Sequence, residues 1–398
     1  MLSRSLVAIA ACLACSGQAR GVDSSERPAR PNWDIKLLAV DANEGIDLAD
    51  INKDGLLDVV AGRNWYAAPS FAPRPLRAID DWNGYAQSNG DFAYDVDRDG
   101  WTDVIAGGFT IPEVNWYRNP GPEGLQRGML WERKRLIESQ GTSNEGQLLC
   151  DLDGDHVPEW ISNSWLPEAP MYVWRLPKDA EGAAGAGDFA MQRVLIGKKG
   201  NGHGLGVGDI NGDGLLDILC GTGWYECPGE AERYRQEWTF HRDWAPTDFS
   251  LPVIVRDLDR DGRSDIIWGT AHGFGVQWWR QLTPGTDGKT VWQTNLIDDS
   301  FSQSHALALA DLDGDGSDDL ITGKRVLAHN GSDPGSSMTP TIQYYSWDHA
   351  EGTFRKSFIN VGIVGVGLQI RTADLDSDGR IDIAVAGKGG TFLLFNRE

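Results

Sequence analysis

His203-Gly-Leu-Gly-Val-Gly-Asp209-Ile-Asn211-Gly-Asp213-Gly214-Leu-Leu-Asp217-Ile-Leu-Cys220-Gly-Thr-Gly-Trp224-Tyr225-Glu-Cys227 is the stretch that decides the fold. A short alternating segment leads into an acidic loop, and a compact apolar segment leads out, so the loop joins two short strands. A third, aromatic strand follows at Trp224-Tyr225. The loop pattern D-x-[DN]-x-D-G-x-x-D recurs seven times, starting at Asp50, Asp95, Asp151, Asp209, Asp257, Asp311 and Asp374. The six intervals are 45, 56, 58, 48, 54 and 63 residues, with a mean of 54. Aromatic third strands return at Asn115-Trp116-Tyr117 and Gln277-Trp278-Trp279, and a more polar fourth strand at Lys134-Arg-Leu-Ile137. Four strands in a repeat of this length predict an all-β, seven-bladed β-propeller with four antiparallel strands per blade.

The ends of the chain fit ring closure. The seventh repeat has room for three strands, the last at Thr391–Phe395. An orphan strand, Trp33–Val40, precedes the first repeat. Supplied to the last blade, it removes an exposed sheet edge. The propeller is therefore expected over 32–398, after a linker at 21–31. The repeat overrides the two or three domains that 398 residues would otherwise suggest.

Residues 1–20 read as a secretory signal: Arg4, an apolar run from Leu6 to Cys15, and a cleavage site at Gly17-Gln18-Ala19. Ile9-Ala10-Ala11-Cys12 also has the form of a lipobox, which would anchor the mature protein through Cys12. An exported protein, periplasmic or extracellular, is expected. No later apolar run is long enough to span a membrane. A net charge of −22 argues against a nucleic-acid partner. Cys150, Cys220 and Cys227 remain after cleavage. An odd number without dense spacing is no disulfide framework, and Cys220 and Cys227 read as buried thiols.

Each acidic loop places hard oxygen ligands at its first, third, fifth and ninth positions, with Gly at the sixth for the turn. It begins like an EF-hand loop without the bidentate Glu. Structural Ca²⁺ is expected on Asp50, Asn52, Asp54 and Asp58; on Asp95, Asp97, Asp99 and Asp103; on Asp151, Asp153, Asp155 and Glu159; on Asp209, Asn211, Asp213 and Asp217; on Asp257, Asp259, Asp261 and Asp265; on Asp311, Asp313, Asp315 and Asp319; and on Asp374, Asp376, Asp378 and Asp382. The third loop departs, with His156 in place of Gly, and is expected to be distorted or metal-free. The repeat resembles the FG-GAP/VCBS family of calcium-loop propellers, which includes the integrin α-subunit head. That resemblance covers all seven units. It implies the fold and leaves function open, because propellers host adhesion modules, lectins and lyases.

Function is expected where the repeats differ. The residue six before each loop is Glu44, Asn89, Glu145, His203, Leu251, His305 and Leu368 in turn. These positions begin the innermost strands and so form a ring at one mouth. The turns between second and third strands return to that mouth and carry Arg63-Asn64-Trp65, Trp165, Trp224-Tyr225, His272, and Lys324-Arg325 through His329. Four of the seven histidines thus converge. Hydrogen-bonded rim residues are the plain alternative. The sharper expectation is a second metal site on Glu145, His203 and His305, holding one divalent ion such as Zn²⁺ or Mg²⁺. His272 or Tyr225 would act as general base or acid, with His329 among the catalytic candidates. Lys324 and Arg325 would hold an oxyanion or carboxylate, and Trp65, Trp165 and Trp224 would stack on sugar faces.

Three stretches, His203–Cys227, Ser304-His305-ALALADLDGDG and Gly323–Gly335, resemble the propeller domain of the aldos-2-ulose dehydratase family. The resemblance implies a metal-dependent loss of water from a keto-sugar such as 1,5-anhydrofructose, at a cleft placed on the same mouth. Those enzymes continue into cupin domains, whereas this chain stops after blade seven, so only the dehydration half is implied. Polysaccharide lyases on propellers use the same logic on a uronate. The expectation is a carbon–oxygen lyase with a sugar or polysaccharide ligand. The alternative is a non-catalytic carbohydrate- or protein-binding propeller.

Overall fold

The computed structural model describes residues 33–138, 145–177, 190–245, 247–285 and 289–397. The expected signal sequence, with Cys12, and the expected linker lie outside the described residues. Seven four-stranded antiparallel sheets are present, each made of four strands consecutive in sequence except the last. That last sheet joins Ile370–Ala373, Asp382–Gly387 and Gly390–Asn396 to the N-terminal strand Trp33–Ala39. The closing pair runs antiparallel from Trp33 opposite Asn396 to Ala39 opposite Thr391, with a bulge after Leu37. The ring is closed as the orphan strand predicted.

The second strand of each blade is the most apolar, and the packing explains it. Asp58–Ala61, Asp217–Cys220 and Asp265–Gly269 are buried along their whole length, because a blade is covered on both faces by its neighbours. Between blades one and seven, Ile46, Val59 and Tyr66 meet Leu375, Ala384 and Leu393. Between four and five, Leu219 and Trp224 meet Ile266, Trp268 and Trp279. Eleven of the 17 tryptophans are buried, so their number reflects blade packing more than a binding site. Cys150, Cys220 and Cys227 are free thiols.

Near the axis, polar groups tie blades together. Gln369 Oε1 accepts the backbone N–H of Ile46 at 2.8 Å and of Asp91 at 3.0 Å, linking blades seven, one and two. Arg77 forms a buried ion pair with Asp91. The acidic loops turn at one mouth. The strand-two-to-three turns and the inner-strand starts meet at the other. A two-stranded hairpin, Asp81–Trp82 with Tyr85–Ala86, is inserted between blades one and two. No described helix is long and apolar enough to cross a membrane.

Candidate metal centre at one mouth of the propeller

The ring position delivers its residues to one point. Glu145 lies just before blade three's inner strand (Gln147–Cys150), His203 before blade four's (Leu205–Gly208) and His305 before blade six's (Leu307–Ala310). His272 joins them from the turn between Asp265–Gly269 and Phe274–Leu282. One ligand atom from each of Glu145, His203, His272 and His305 lies within 4.8 Å of the others. The backbone is shaped for this. A Cβ at Gly221 would sit 2.2 Å from the His203 carbonyl oxygen, so only glycine lets that turn close on His203.

Hydrogen bonds fix the imidazoles unequally. His203 Nδ1 lies 2.7 Å from the Phe249 carbonyl, which only accepts, so Nδ1 carries the hydrogen. A neutral ring then turns a bare Nε2 to Glu145 Oε2, 3.1 Å away. That contact needs a proton or a cation between lone pair and carboxylate. Burial opposes a charge on His203, but Glu145 outweighs it and raises its pKa. His305 is wholly buried, and neither ring nitrogen makes a hydrogen bond. Its Nε2 is 3.1 Å from Glu145 Oε1 but poorly aligned. Burial and the Arg325 guanidinium push its pKa down to about 3, leaving it neutral. An unsatisfied buried polar group costs about 1–3 kcal/mol, so this arrangement implies a missing partner.

His272 is oriented by a carboxylate. Its Nδ1 lies 2.8 Å from Asp248 Oδ1, and its backbone N–H donates to Asp248 Oδ2 at 2.9 Å. Nε2 is buried and unpartnered. Asp248 also lies 3.5 Å from His203 Nδ1. Burial works against the Asp248 charge, but His272 and His203 hold its pKa below the ordinary value. A carboxylate behind a ligating histidine fixes tautomer and ring direction in metal sites. Asp248 lies in the connection between blades four and five, outside the repeat, so no repeat position pointed to it.

Charged groups surround the cluster. Arg325 is buried, donates to Glu44 and has Nη1 3.9 Å from Glu145 Oε1; its Nε and Nη1 make no hydrogen bond. Burial opposes ionisation of Glu145, but the His203 contact holds its carboxyl well below the usual range. His329 stacks on His272 with ring centroids 4.3 Å apart and lies 3.0 Å from Asp333 Oδ1. Lys388, in blade seven's turn, has its ammonium 4.0 Å from the Tyr85 ring centre. A cavity of about 80 Å³ lies on the axis, lined by Asn89, Glu145, Leu251 and Leu368 among others.

Several expected site residues lie elsewhere or do other work. Tyr225 is buried in blade four's packing and its hydroxyl donates to the Lys199 carbonyl, so it is not at the mouth as an acid or base. Trp65 and Trp224 are 2% exposed, sandwiched between blades, and offer no face to a ligand. Lys324 is buried, with its ammonium donating to Gln303 Oε1, Arg325 O and Ser336 O at 2.5, 2.7 and 3.3 Å. All three donors are used, which makes it a fixing residue for the loop rather than an oxyanion ligand. Trp165 is 47% exposed and stacks on Phe109.

The acidic loops share one geometry. Asp50 Oδ1 accepts from Asp54 N at 3.1 Å and Oδ2 from Gly55 N at 2.9 Å, and the later first-position carboxylates repeat this. His156 keeps the pattern in the third loop by adopting a left-handed φ of 68°, with its N–H donating to Asp151 Oδ2 at 2.8 Å. The ninth residue is buried and holds backbone: Asp217 accepts from Ile210 N and Cys227 N at 2.9 Å each. Carboxylate groups able to meet on one ion include Asp95, Asp97 and Asp99; Asp151, Asp153 and Glu159; Asp257, Asp259 and Asp261; and Asp311, Asp313 and Asp315. Arg118, Arg175, Arg280 and Arg397 offset the charge in blades two, three, five and seven. No such arginine contacts Asp311, Asp313 or Asp315 among the described residues.

Comparisons with known proteins agree on the architecture. The FG-GAP-like repeat model matches residues 257–322 and the FG-GAP repeat model residues 201–229. No curated protein matches the chain. A crystal structure of BBS1N in complex with ARL6DN is similar over 93% of this chain and 98% of that one, at 12% identity and a TM-score of 0.51. An Agrocybe aegerita lectin, described as recognising non-reducing terminal N-acetylglucosamine, is similar over 89% of this chain and 85% of its own, at 16% identity and a TM-score of 0.47. At 12% identity the likeness to the BBS1N structure speaks to fold alone. The resemblance of blades four and six to the dehydratase propeller is not confirmed by these comparisons. Seven closed blades, each carrying the acidic loop, and FG-GAP repeats matched at 201–229 and 257–322 make the chain a seven-bladed β-propeller with FG-GAP repeats.

Proposed function

We propose that this mouth is a catalytic metal site and that the protein is an exported carbon–oxygen lyase acting on a sugar. The observation that carries the proposal is the convergence of three imidazoles and Glu145 with three of the buried nitrogens lacking a hydrogen bond. Such a donor set suits Zn²⁺, Mn²⁺ or Fe²⁺, whereas Mg²⁺ takes oxygen ligands. Glu145, His203 and His305 would hold the ion, which would supply Lewis acidity to a ketone or carboxylate oxygen and so acidify the neighbouring C–H. His272, oriented by Asp248, then takes the proton at Nε2. The C–H electron pair becomes the new C=C bond as the β-C–O bond breaks. The departing oxygen takes a proton from His329 at the lip and leaves as water from a keto-sugar, or as the hydroxyl of the released sugar from a uronate chain. Atoms balance without an oxidant. A keto-sugar such as 1,5-anhydrofructose and a uronate both meet these requirements.

A binding propeller without turnover is the second reading, and the exposed Trp165 beside Phe109 favours it. In either case we place structural calcium in the acidic loops, foremost in blade six, where no arginine offsets the carboxylates. Incubation of metal-loaded protein with 1,5-anhydrofructose and with uronans, followed by ultraviolet absorbance, tests the lyase reading. A conjugated product formed by the wild type and not by His305→Ala is expected. No product from either class overturns it.

A further inference from the structure

Four aromatic side chains at this mouth form one connected arc, and Phe274, 45% exposed in blade five's turn, stands apart from it. Tyr85 meets Trp82 edge-on with ring centroids 5.5 Å apart. Trp82 lies 6.1 Å from Phe109, and Phe109 stacks on Trp165 at 5.5 Å. Trp82 is 36% and Trp165 47% exposed, unlike the tryptophans within the blades. The arc comes from three places: the inserted hairpin, blade two's turn and blade three's turn. The hairpin breaks the four-strand plan of the blades and supplies Trp82 and Tyr85. Its Trp82 packs on Phe109 of blade two's turn instead of inside a blade, and neighbouring centroids along the arc are 5.5 to 6.1 Å apart.

One end of the arc carries a cation. Lys388 Nζ stands 4.0 Å from the Tyr85 ring centre, and both residues lie within reach of the charges on Glu44, Arg325 and Glu145. The other cations nearby are engaged: Arg325 by Glu44, Lys324 by three oxygens, Arg63 by Asp41 and Asp81, and Arg77 by Asp91. Lys388 is left with a ring face as its contact and no carboxylate, among the described residues. Its ammonium has three donors to offer. An aromatic ring and a lysine at the end of a row of partly exposed aromatic rings match a sugar that bears a carboxylate, followed by further sugars.

We infer that the mouth takes an acidic polysaccharide, with a uronate carboxylate on Lys388 beside Tyr85 and successive sugar rings along Trp82, Phe109 and Trp165. The inference rests on the proposed sugar-active mouth and narrows it from a small keto-sugar to a uronate-containing chain. Lys388 is here a specificity residue, set apart from the histidines.

The test is calorimetric titration of the whole mature protein with an oligogalacturonate, an oligoglucuronate and the carboxyl-reduced, neutral form of each. At least one acidic chain is expected to bind about tenfold more tightly than its neutral form. Lys388→Gln should erase that preference while leaving neutral-chain affinity unchanged. Trp165→Ala and Trp82→Ala should weaken both forms by about tenfold, as loss of an aromatic anchor does, with metal content unaltered. Equal affinity for acidic and neutral chains, a preference that survives Lys388→Gln, or no binding of any chain overturns the inference. Failure of the lyase reading is a different outcome: the acidic chain binds as expected and is not cleaved.

Discussion

Asp248→Asn isolates what the carboxylate behind His272 does for the metal centre. One Asp248 oxygen receives the His272 ring and the other its backbone N–H, at 2.8 and 2.9 Å. Asparagine has a single acceptor oxygen, so one of these two bonds is lost and the other loses its charge. A hydrogen bond to a charged group contributes about 1.5–3 kcal/mol. Asparagine also presents an amide N–H to whichever group remains, and the easiest relief is rotation of the His272 ring away from the cluster. Replacing such an outer partner lowers activity by about 10–100-fold, which is about 1.4–2.7 kcal/mol and agrees with the loss of one charge-assisted bond. Turnover of metal-loaded protein reads that loss, competition for Zn²⁺ against a chromophoric chelator should show the ion still held by Glu145, His203 and His305, and a urea melt separates misfolding from a displaced base. Wild-type turnover in Asp248→Asn, with a stable fold, would refute the positioning argument.

Three further outcomes follow from the packing and the loops. Trp65→Ala should lose about 3–5 kcal/mol in urea unfolding, whereas Trp165→Ala, outside the core, should stay within about 0.5 kcal/mol. Removal of the strand Trp33–Ala39 exposes one edge of the last strand from Thr391 to Asn396, and size-exclusion chromatography should show aggregation in place of a folded monomer peak. Burial pushes the Asp103 and Asp217 carboxyls up to about 7, and those of Asp58, Asp265, Asp319 and Asp382 up to about 6. All are raised above the ordinary 3.8. Their stabilisation is therefore complete below about pH 4 and is lost as pH rises through about 6 to 7. Calcium-free protein should melt at higher temperature near about pH 5 than near about pH 8, and saturating calcium should abolish that slope by favouring the ionised carboxylates. A calcium-insensitive slope would argue against cations in the loops.

The repeat made most of the architecture legible. Seven equivalent loops define seven equivalent strand starts, and equivalence is what placed Glu145, His203 and His305 in one ring before any coordinates. It failed where residues leave the repeat. Asp248 lies in a connection between blades, and Tyr85 and Trp82 lie in a hairpin that no other blade has. Lys388 occupies blade seven's strand-two-to-three turn, the same kind of turn that carries His272, and reading that turn in every blade would have found it. Trp65 and Trp224 misled because they sit close to those turns in sequence. Their third strands are covered on both faces by neighbouring blades, and this is a property of the closed ring. Trp165 differs because its strand has already ended, in a loop bounded by Pro167 and Pro170.

Elemental analysis of the purified mature protein, wild type beside His203→Ala/His305→Ala, tests the metal centre most directly. The account predicts about one transition-metal ion per chain in the wild type, as for a single three- or four-ligand site. That ion should be lost in the double variant while calcium is retained. Calcium alone in both proteins would contradict it and leave a propeller that binds without a catalytic metal.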